Sequence, residues 1–108
     1  MTEPDVAVVM RALADPTRRG IFERIVKADG ITVAELTGGG SVSQPAVSQH
    51  LRALKRAGLV AERREGRNCH YRASPTGLAP LADWLGIYGL MWRAAFATLK
   101  ALLKEIDQ

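Results

Sequence analysis

Gln44, Ser48, Gln49, Arg52 and Lys55 combine the side chains that a nucleic acid can use: uncharged hydrogen-bonding groups for base edges and cations for phosphates. They fall within Ser43-Gln44-Pro45-Ala46-Val47-Ser48-Gln49-His50-Leu51-Arg52-Ala53-Leu54-Lys55-Arg56. At 3.6 residues per turn, Val47, Leu51 and Leu54 share one face, and Gln44, Ser48, Arg52 and Lys55 share another, with Gln49 and Arg56 beside them. One face packs, and the other is available to DNA. The charged segment Glu62-Arg63-Arg64-Glu65-Gly66-Arg67-Asn68 follows within a few residues, so the stretch reads as a DNA-recognition helix feeding a basic β-hairpin.

These residues need a frame. Ser43 is placed to cap the helix, and Pro45 is tolerable in an opening turn that has no earlier carbonyl to bond. The helix should therefore begin at about Ser43 and stop at Gly58, after Lys55 and Arg56, whose charges suit its negative end. Val60 to Arg64 and Cys69 to Ala73 are expected as two strands joined around Glu65-Gly66-Arg67-Asn68, and Ser74-Pro75 closes the hairpin. Upstream, Thr32-Val33-Ala34-Glu35 has the spacing of a capping box, with Leu36 as its apolar contact, and predicts a short helix. The turn Thr37-Gly38-Gly39-Gly40-Ser41 is longer than a tight helix-turn-helix connection needs. Asp15-Pro16 starts another helix, with Ile21, Phe22, Ile25 and Val26 inward, Arg19, Glu23 and Lys27 outward, and Asp29-Gly30 at its end. Val6 to Ala14 forms an apolar first helix. After a segment broken by Gly77 and Pro80, a long helix is expected from about Leu81 to Glu105.

A chain of 108 residues, 47% hydrophobic, suffices for one domain spanning 1–108 with a modest core. Its parts are a helix-turn-helix at 32–57, a wing at 60–73, and terminal helices within 1–14 and 81–106. The net charge is +4, but residues 41–72 hold seven Lys or Arg against Glu62 and Glu65, so this stretch carries +5 and the remainder −1. A local basic patch suits a phosphate backbone. Cys69 is the single cysteine, which excludes an internal disulfide and fits a reducing cytoplasm. No leader pattern and no run of about 18 apolar residues points to secretion or a membrane.

The last helix is too apolar to stand alone. Trp84, Tyr88, Trp92, Phe96, Leu99, Leu103 and Ile106 form a stripe, and Leu85, Ile87, Leu90, Met91 and Leu102 widen it. Such a surface needs a second packing partner, most simply another copy around a two-fold axis. A homodimer is expected, with Trp84, Tyr88, Met91, Trp92, Phe96 and Leu99 joined by Val6, Val9, Met10 and Leu13 of the first helix.

Leu13-Ala14-Asp15-Pro16-Thr17-Arg18-Arg19, Ser48-Gln49-His50-Leu51, Ala57-Gly58-Leu59-Val60 and Arg63-Arg64-Glu65-Gly66-Arg67 closely resemble the ArsR/SmtB family of winged helix-turn-helix repressors. The resemblance runs over roughly residues 6–100. It implies a mainly α fold with a small β-hairpin (α+β): about five helices and a two-stranded wing, dimerising through N- and C-terminal helices on a palindromic operator of double-stranded DNA. It maps recognition-helix positions onto Ser43, Gln44, Ala46, Val47, Ser48, Gln49, His50 and Arg52, and the wing tip onto Arg64, Gly66, Arg67 and Asn68. Gln44 and Gln49 can pair with adenine N6 and N7, and Arg52 with guanine or a phosphate, each good base contact discriminating by about 1 to 3 kcal/mol. Ser48 suits either task. Arg67 suits a minor groove, and Arg18, Lys55, Arg63 and Arg64 suit phosphates.

The same residues argue against other chemistry. Metal-sensing members of that family carry cysteines before the recognition helix, or His and acidic ligands in the last helix. Glu35-Leu36-Thr37-Gly38 holds no thiol and the last helix no histidine, so no metal site and no cofactor are expected, and scattered Asp83, Glu105 and Asp107 do not supply one. Cys69 and His70 are neighbours in a strand and should face opposite sides, which denies them a shared metal or a nucleophile–base couple; an enzyme is not expected. A redox role for Cys69, or a small-molecule inducer lodged against Trp84, Tyr88 and Trp92, stays open. The alternative functions are a winged-helix module that binds protein, or an architectural DNA binder without sequence preference.

Overall fold

The computed structural model describes residues 6–38 and 42–106, so the expected glycine turn at Gly39, Gly40 and Ser41 lies outside the described residues. The elements run α1 (Val6–Ala14), α2 (Pro16–Lys27), β1 (Ile31–Thr32), α3 (Val33–Thr37), α4 (Gln44–Arg56), β2 (Val60–Glu65), β3 (Asn68–Ala73) and α5 (Ala79–Ile106). This is the α+β arrangement of five helices and a winged sheet that the pattern implied.

Local chemistry sets the boundaries. The Asp15 side chain accepts from the Arg18 N–H at 3.1 Å, and Pro16 opens α2 where no donor is missed. Ser43 caps α4 in the same way, accepting from the Ala46 N–H at 3.3 Å. At the other end of α4, Gly58 turns left-handed at φ +76°. Its N–H bonds the Lys55 carbonyl at 3.0 Å while the Leu59 N–H bonds the Leu54 carbonyl at 3.0 Å, the paired bonds of a Schellman stop. Thr32 accepts from the Glu35 N–H at 3.1 Å and donates its hydroxyl to the Glu35 carboxylate at 3.0 Å. Only half of the expected capping box forms, because the Glu35 arm meets the hydroxyl instead of the backbone N–H.

Val9, Ile25, Val47, Leu51, Leu54 and Leu59 are the largest fully buried side chains. The core therefore lies among α1, α2, α4 and the residue pair that launches the wing. Val26, expected inward, is 54% exposed, since one position beyond Ile25 the helix has turned through about 100°.

The sheet has the order β1-β3-β2, antiparallel throughout. The expected two-stranded wing gains a third strand, Ile31 and Thr32 pairing with Tyr71 and His70. Two residues are too few to show alternation, so no sequence pattern announces β1. Helix α5 begins at Ala79, two residues before the expected Leu81, because Pro80 fits a first turn. It runs for 28 residues with none of its side chains buried. Among the described residues no helix is long and apolar enough to cross a membrane.

One close approach ties the wing's return to the end of α4. The Ser74 N–H bonds the Leu59 carbonyl at 2.9 Å and the Gly77 N–H bonds the Ser74 carbonyl at 3.0 Å. A Cβ on Gly77 would collide with the Gly58 carbonyl oxygen and lie 2.9 Å from the Leu59 Cα, both backbone atoms with no rotamer to yield. Gly77→Ala should therefore lower stability by about 1 to 3 kcal/mol in urea unfolding. Gly20→Ala, where a Cβ meets nothing within 4 Å in the middle of α2, should raise stability by up to about 1 kcal/mol. Equal midpoints for the two variants would contradict this account.

Candidate nucleic-acid interface

The buried stripe of Val47, Leu51 and Leu54 fixes the rotation of α4 about its own axis, and that rotation turns Gln44, Gln49, Arg52, Lys55 and Arg56 outward, all exposed. Ser43 is exposed at the cap, while Ala46, Ser48 and His50 are half-buried at the edges of this face. The preceding helix is held by a residue that sequence reasoning missed. Arg24 of α2 donates through Nη1 to the Leu36 carbonyl at 2.8 Å and through Nη2 to the Glu35 carbonyl at 2.9 Å. A planar guanidinium thus closes the carbonyl end of α3, where helical partners run out. The contact spans about three helical turns' worth of chain and a change of element, so no local spacing could have shown it.

His50 is not presented as an open ligand. Its Nδ1 accepts from the Arg18 Nε at 3.2 Å, which latches α4 to α2. The Asp15 carboxyl behind it is held below its usual value, first by the Arg18 N–H, with burial opposing and the Thr17 N–H, His50 and Arg18 assisting. Arg18, expected on a phosphate, thus has one guanidinium nitrogen engaged within the protein.

In the wing, strand alternation and the register sort the side chains. Glu62 lies opposite Tyr71 and Arg64 opposite Cys69, and these four share one face; Arg63 and His70 share the other with Glu65, Asn68 and Arg72. Cys69 and His70 accordingly point to opposite sides. Glu65 and Asn68 close a two-residue loop in which Gly66 takes φ +61°, the glycine-first form of a tight hairpin. Arg67 and Asn68 stand exposed at this tip, and Arg64 is exposed on the sheet face that meets α4. Arg63 pairs through Nε with Glu65 at 3.3 Å.

Glu62 collects three donors. Lys55 of α4 pairs with its Oε1, and Oε2 accepts from the Cys69 Sγ at 3.2 Å and the Tyr71 hydroxyl at 3.1 Å. The Lys55 hydrogen bond, followed by those of Cys69 and Tyr71, pulls the Glu62 carboxyl down to about 2. Burial first, and then Glu62, pushes the Tyr71 phenol up to about 12. Lys55, expected on a phosphate, is directed instead at an acid of its own chain.

Two surfaces emerge beyond this face. Trp84, Tyr88, Met91, Trp92, Phe96 and Leu99 of α5 are all exposed, with Trp84 and Tyr88 rings 5.0 Å apart and those of Trp92 and Phe96 6.3 Å apart. On α1, Met10 is exposed and Val6 and Leu13 are half-buried. Val9, expected in the same interface, is sealed at 0% exposure in the chain's own core and offers nothing to a partner. Among the described residues no three His, Cys, Asp or Glu side chains converge as metal ligands, and Asp107 lies outside those residues.

Because the folded state holds Glu62 down to about 2 against an ordinary 4.5, its contribution is complete above pH 4.5 and disappears as pH falls toward 2. Acid unfolding of Glu62→Gln should lack this component, so its stability relative to wild type should improve as pH drops from 5 to about 2. A difference that stays constant across that window would contradict the assignment.

A helix-turn-helix domain model matches residues 13–63. The chain is 51% identical over 71 residues to the HTH-type transcriptional regulator Rv2034 of Mycobacterium tuberculosis (strain ATCC 25618 / H37Rv), an alignment covering 66% of this chain and 65% of that protein. It is 30% identical to the arsenical resistance operon repressor of Escherichia coli (strain K12), across 91% of this chain and 81% of that one. The homodimeric winged helix-turn-helix DNA-binding domain of Mb0332 from Mycobacterium bovis superposes with a TM-score of 0.63 at 30% identity, covering 78% of this chain and 77% of that domain.

Proposed function

The chain belongs to the ArsR family of winged helix-turn-helix transcriptional regulators, and we propose that it acts as a homodimeric repressor that reads a two-fold-symmetric operator. The observation that carries this reading is the exposure of Gln44 and Gln49 beside Arg52 on a helix whose opposite face is locked in the core. Uncharged hydrogen-bonding side chains serve base edges, whereas generic attraction to phosphates needs only cations. In this reading Gln44, Ser48 and Gln49 address bases, Ser43, Ala46 and Arg52 line the groove, Arg64 and Asn68 flank the backbone, and Arg67 enters a minor groove.

A second copy answers a separate problem. Helix α5 leaves large apolar side chains in water along its whole length, Trp92 and Met91 among them at 66% and 68% exposure. Pairing α5 and the exposed side of α1 around a two-fold axis removes them from water and sets two recognition helices against successive half-sites. The homodimeric Mb0332 domain supports this assembly. A DNA partner and a single cysteine support a cytoplasmic site of action.

Purified protein should bind a duplex from its own upstream region at least ~10³-fold more tightly than a scrambled duplex, and protect a palindrome within it. Gln49→Ala should relax discrimination at one base pair of each half-site, at a cost of about 1 to 3 kcal/mol. Arg67→Ala should weaken binding to both duplexes. Equal affinity of the wild type for both would leave an architectural DNA binder, and no affinity for either a protein-binding module. In sedimentation, Trp92→Glu should shift the dimer toward monomer, and a wild type that sediments as a monomer at all concentrations would remove the dimer from the proposal.

A further inference from the structure

The densest run of cations in the chain contains two acids, and both are engaged. Glu65 pairs with Arg63 on its own strand, but Glu62 joins two elements. An acid on a surface that meets phosphates weakens binding by repulsion unless it is neutralised or serves another purpose. A single exposed ion pair contributes little to stability. Here three donors converge on one carboxylate, from Lys55 on α4 and from Cys69 and Tyr71 on β3. Tyr71 is the direct cross-strand neighbour of Glu62 and packs against the core, so the carboxylate is anchored to the sheet on one oxygen and to the recognition helix on the other.

The position of this junction matters. Beyond Val60, every residue of β2 is exposed, so the hairpin is held to the core through β3, whose Tyr71 packs there and pairs with Ile31 of β1. No apolar contact from the rest of β2 sets that strand's angle to α4. The tip at Gly66 lies four residues beyond Glu62, roughly 13 Å along a strand. A swing of about 10° at the root moves the tip by about 2 Å, several times the roughly 0.5 Å window of a hydrogen bond. A contact at the root therefore adds, to the anchoring of β3, a direct control of where Arg67 arrives.

From this geometry we infer that Glu62 is the positioning residue that sets the wing against the recognition helix, with Lys55 as its brace and not as a phosphate contact. The phosphate-facing role of the wing rests on the DNA-binding reading above; the brace itself does not. The carboxylate stays ionised down to about pH 2, so the junction persists across the physiological range.

Hydrogen–deuterium exchange of the DNA-free protein tests the brace directly. Glu62→Gln should speed exchange of the β2 and β3 amides by about tenfold while α2 and α4 keep their protection. Lys55→Met should do the same to a smaller degree, and Lys55→Met combined with Glu62→Gln should add nothing to Glu62→Gln alone. Unchanged wing exchange in Glu62→Gln, or additive effects of the two changes, would overturn the inference. Salt dependence of binding to a mixed-sequence duplex tests the role of Lys55. Made in the Arg67→Ala background, where a displaced wing has no tip contact left to lose, replacement of Lys55 by Met should leave the slope of log K against log salt unchanged, whereas a slope smaller by about 0.9 would mark a lost phosphate contact and overturn that half. If the wild type fails to retain the duplex at all, the DNA-binding reading falls, and the exchange experiment still decides the brace.

Discussion

Val47, Leu51 and Leu54 sit in one buried cluster with Val9, Ile25 and Leu59, and the candidate interface depends on this packing more than on any polar contact. A thirteen-residue helix with one apolar stripe has a single rotation that buries it. That rotation also determines which side chains remain outside. Gln49 and Arg52 face outward because the buried residues one or two positions from them, Val47, Leu51 and Leu54, lie on the opposite side of the helix, and Gln44 stands on the outward face one turn before Ser48. The Ser43 cap and the Gly58 stop then limit the helix to the length over which this division holds.

Polar contacts refine a frame that apolar packing has already set. Arg24 closes the carbonyl end of α3, Arg18 reaches the His50 ring, and Glu62 gathers Lys55, Cys69 and Tyr71. Each joins two different elements through a charged group. Several cations of this chain therefore act on the protein itself, which separates the count of positive charges from the count of groups available to phosphates. Lys55 and Arg18 carry charge into the surface field while the Lys55 ammonium and the Arg18 Nε bond acceptors of the chain itself.

Helix α5 poses the opposite condition. It has 28 residues and buries none of its side chains, although most of its surface is apolar. Gly77 fixes where it departs, since only a residue without a Cβ can pass so close to Gly58 and Leu59. None of the described elements folds over this helix, and the proposed second copy would supply the missing surface.

Much of the fold was legible in the residues. The periodicity of Val47, Leu51 and Leu54, the caps at Asp15 and Ser43, the stop at Gly58 and the Gly66 turn are local signals, each acting within about one helical turn or one hairpin, and the elements formed where those signals stood. The opposite facing of Cys69 and His70 followed from strand alternation alone. What remained hidden depended on which elements meet. The strand at Ile31 and Thr32 exists only because β3 lies beside it, and Arg24 finds carbonyls eleven and twelve residues away. Val9 became core instead of interface, Val26 turned to solvent, and Lys55 turned to Glu62. A side chain's type and spacing determine what it can bond and on which face of its element it lies; only the packing of elements decides which groups come within the roughly 3 Å that a hydrogen bond requires.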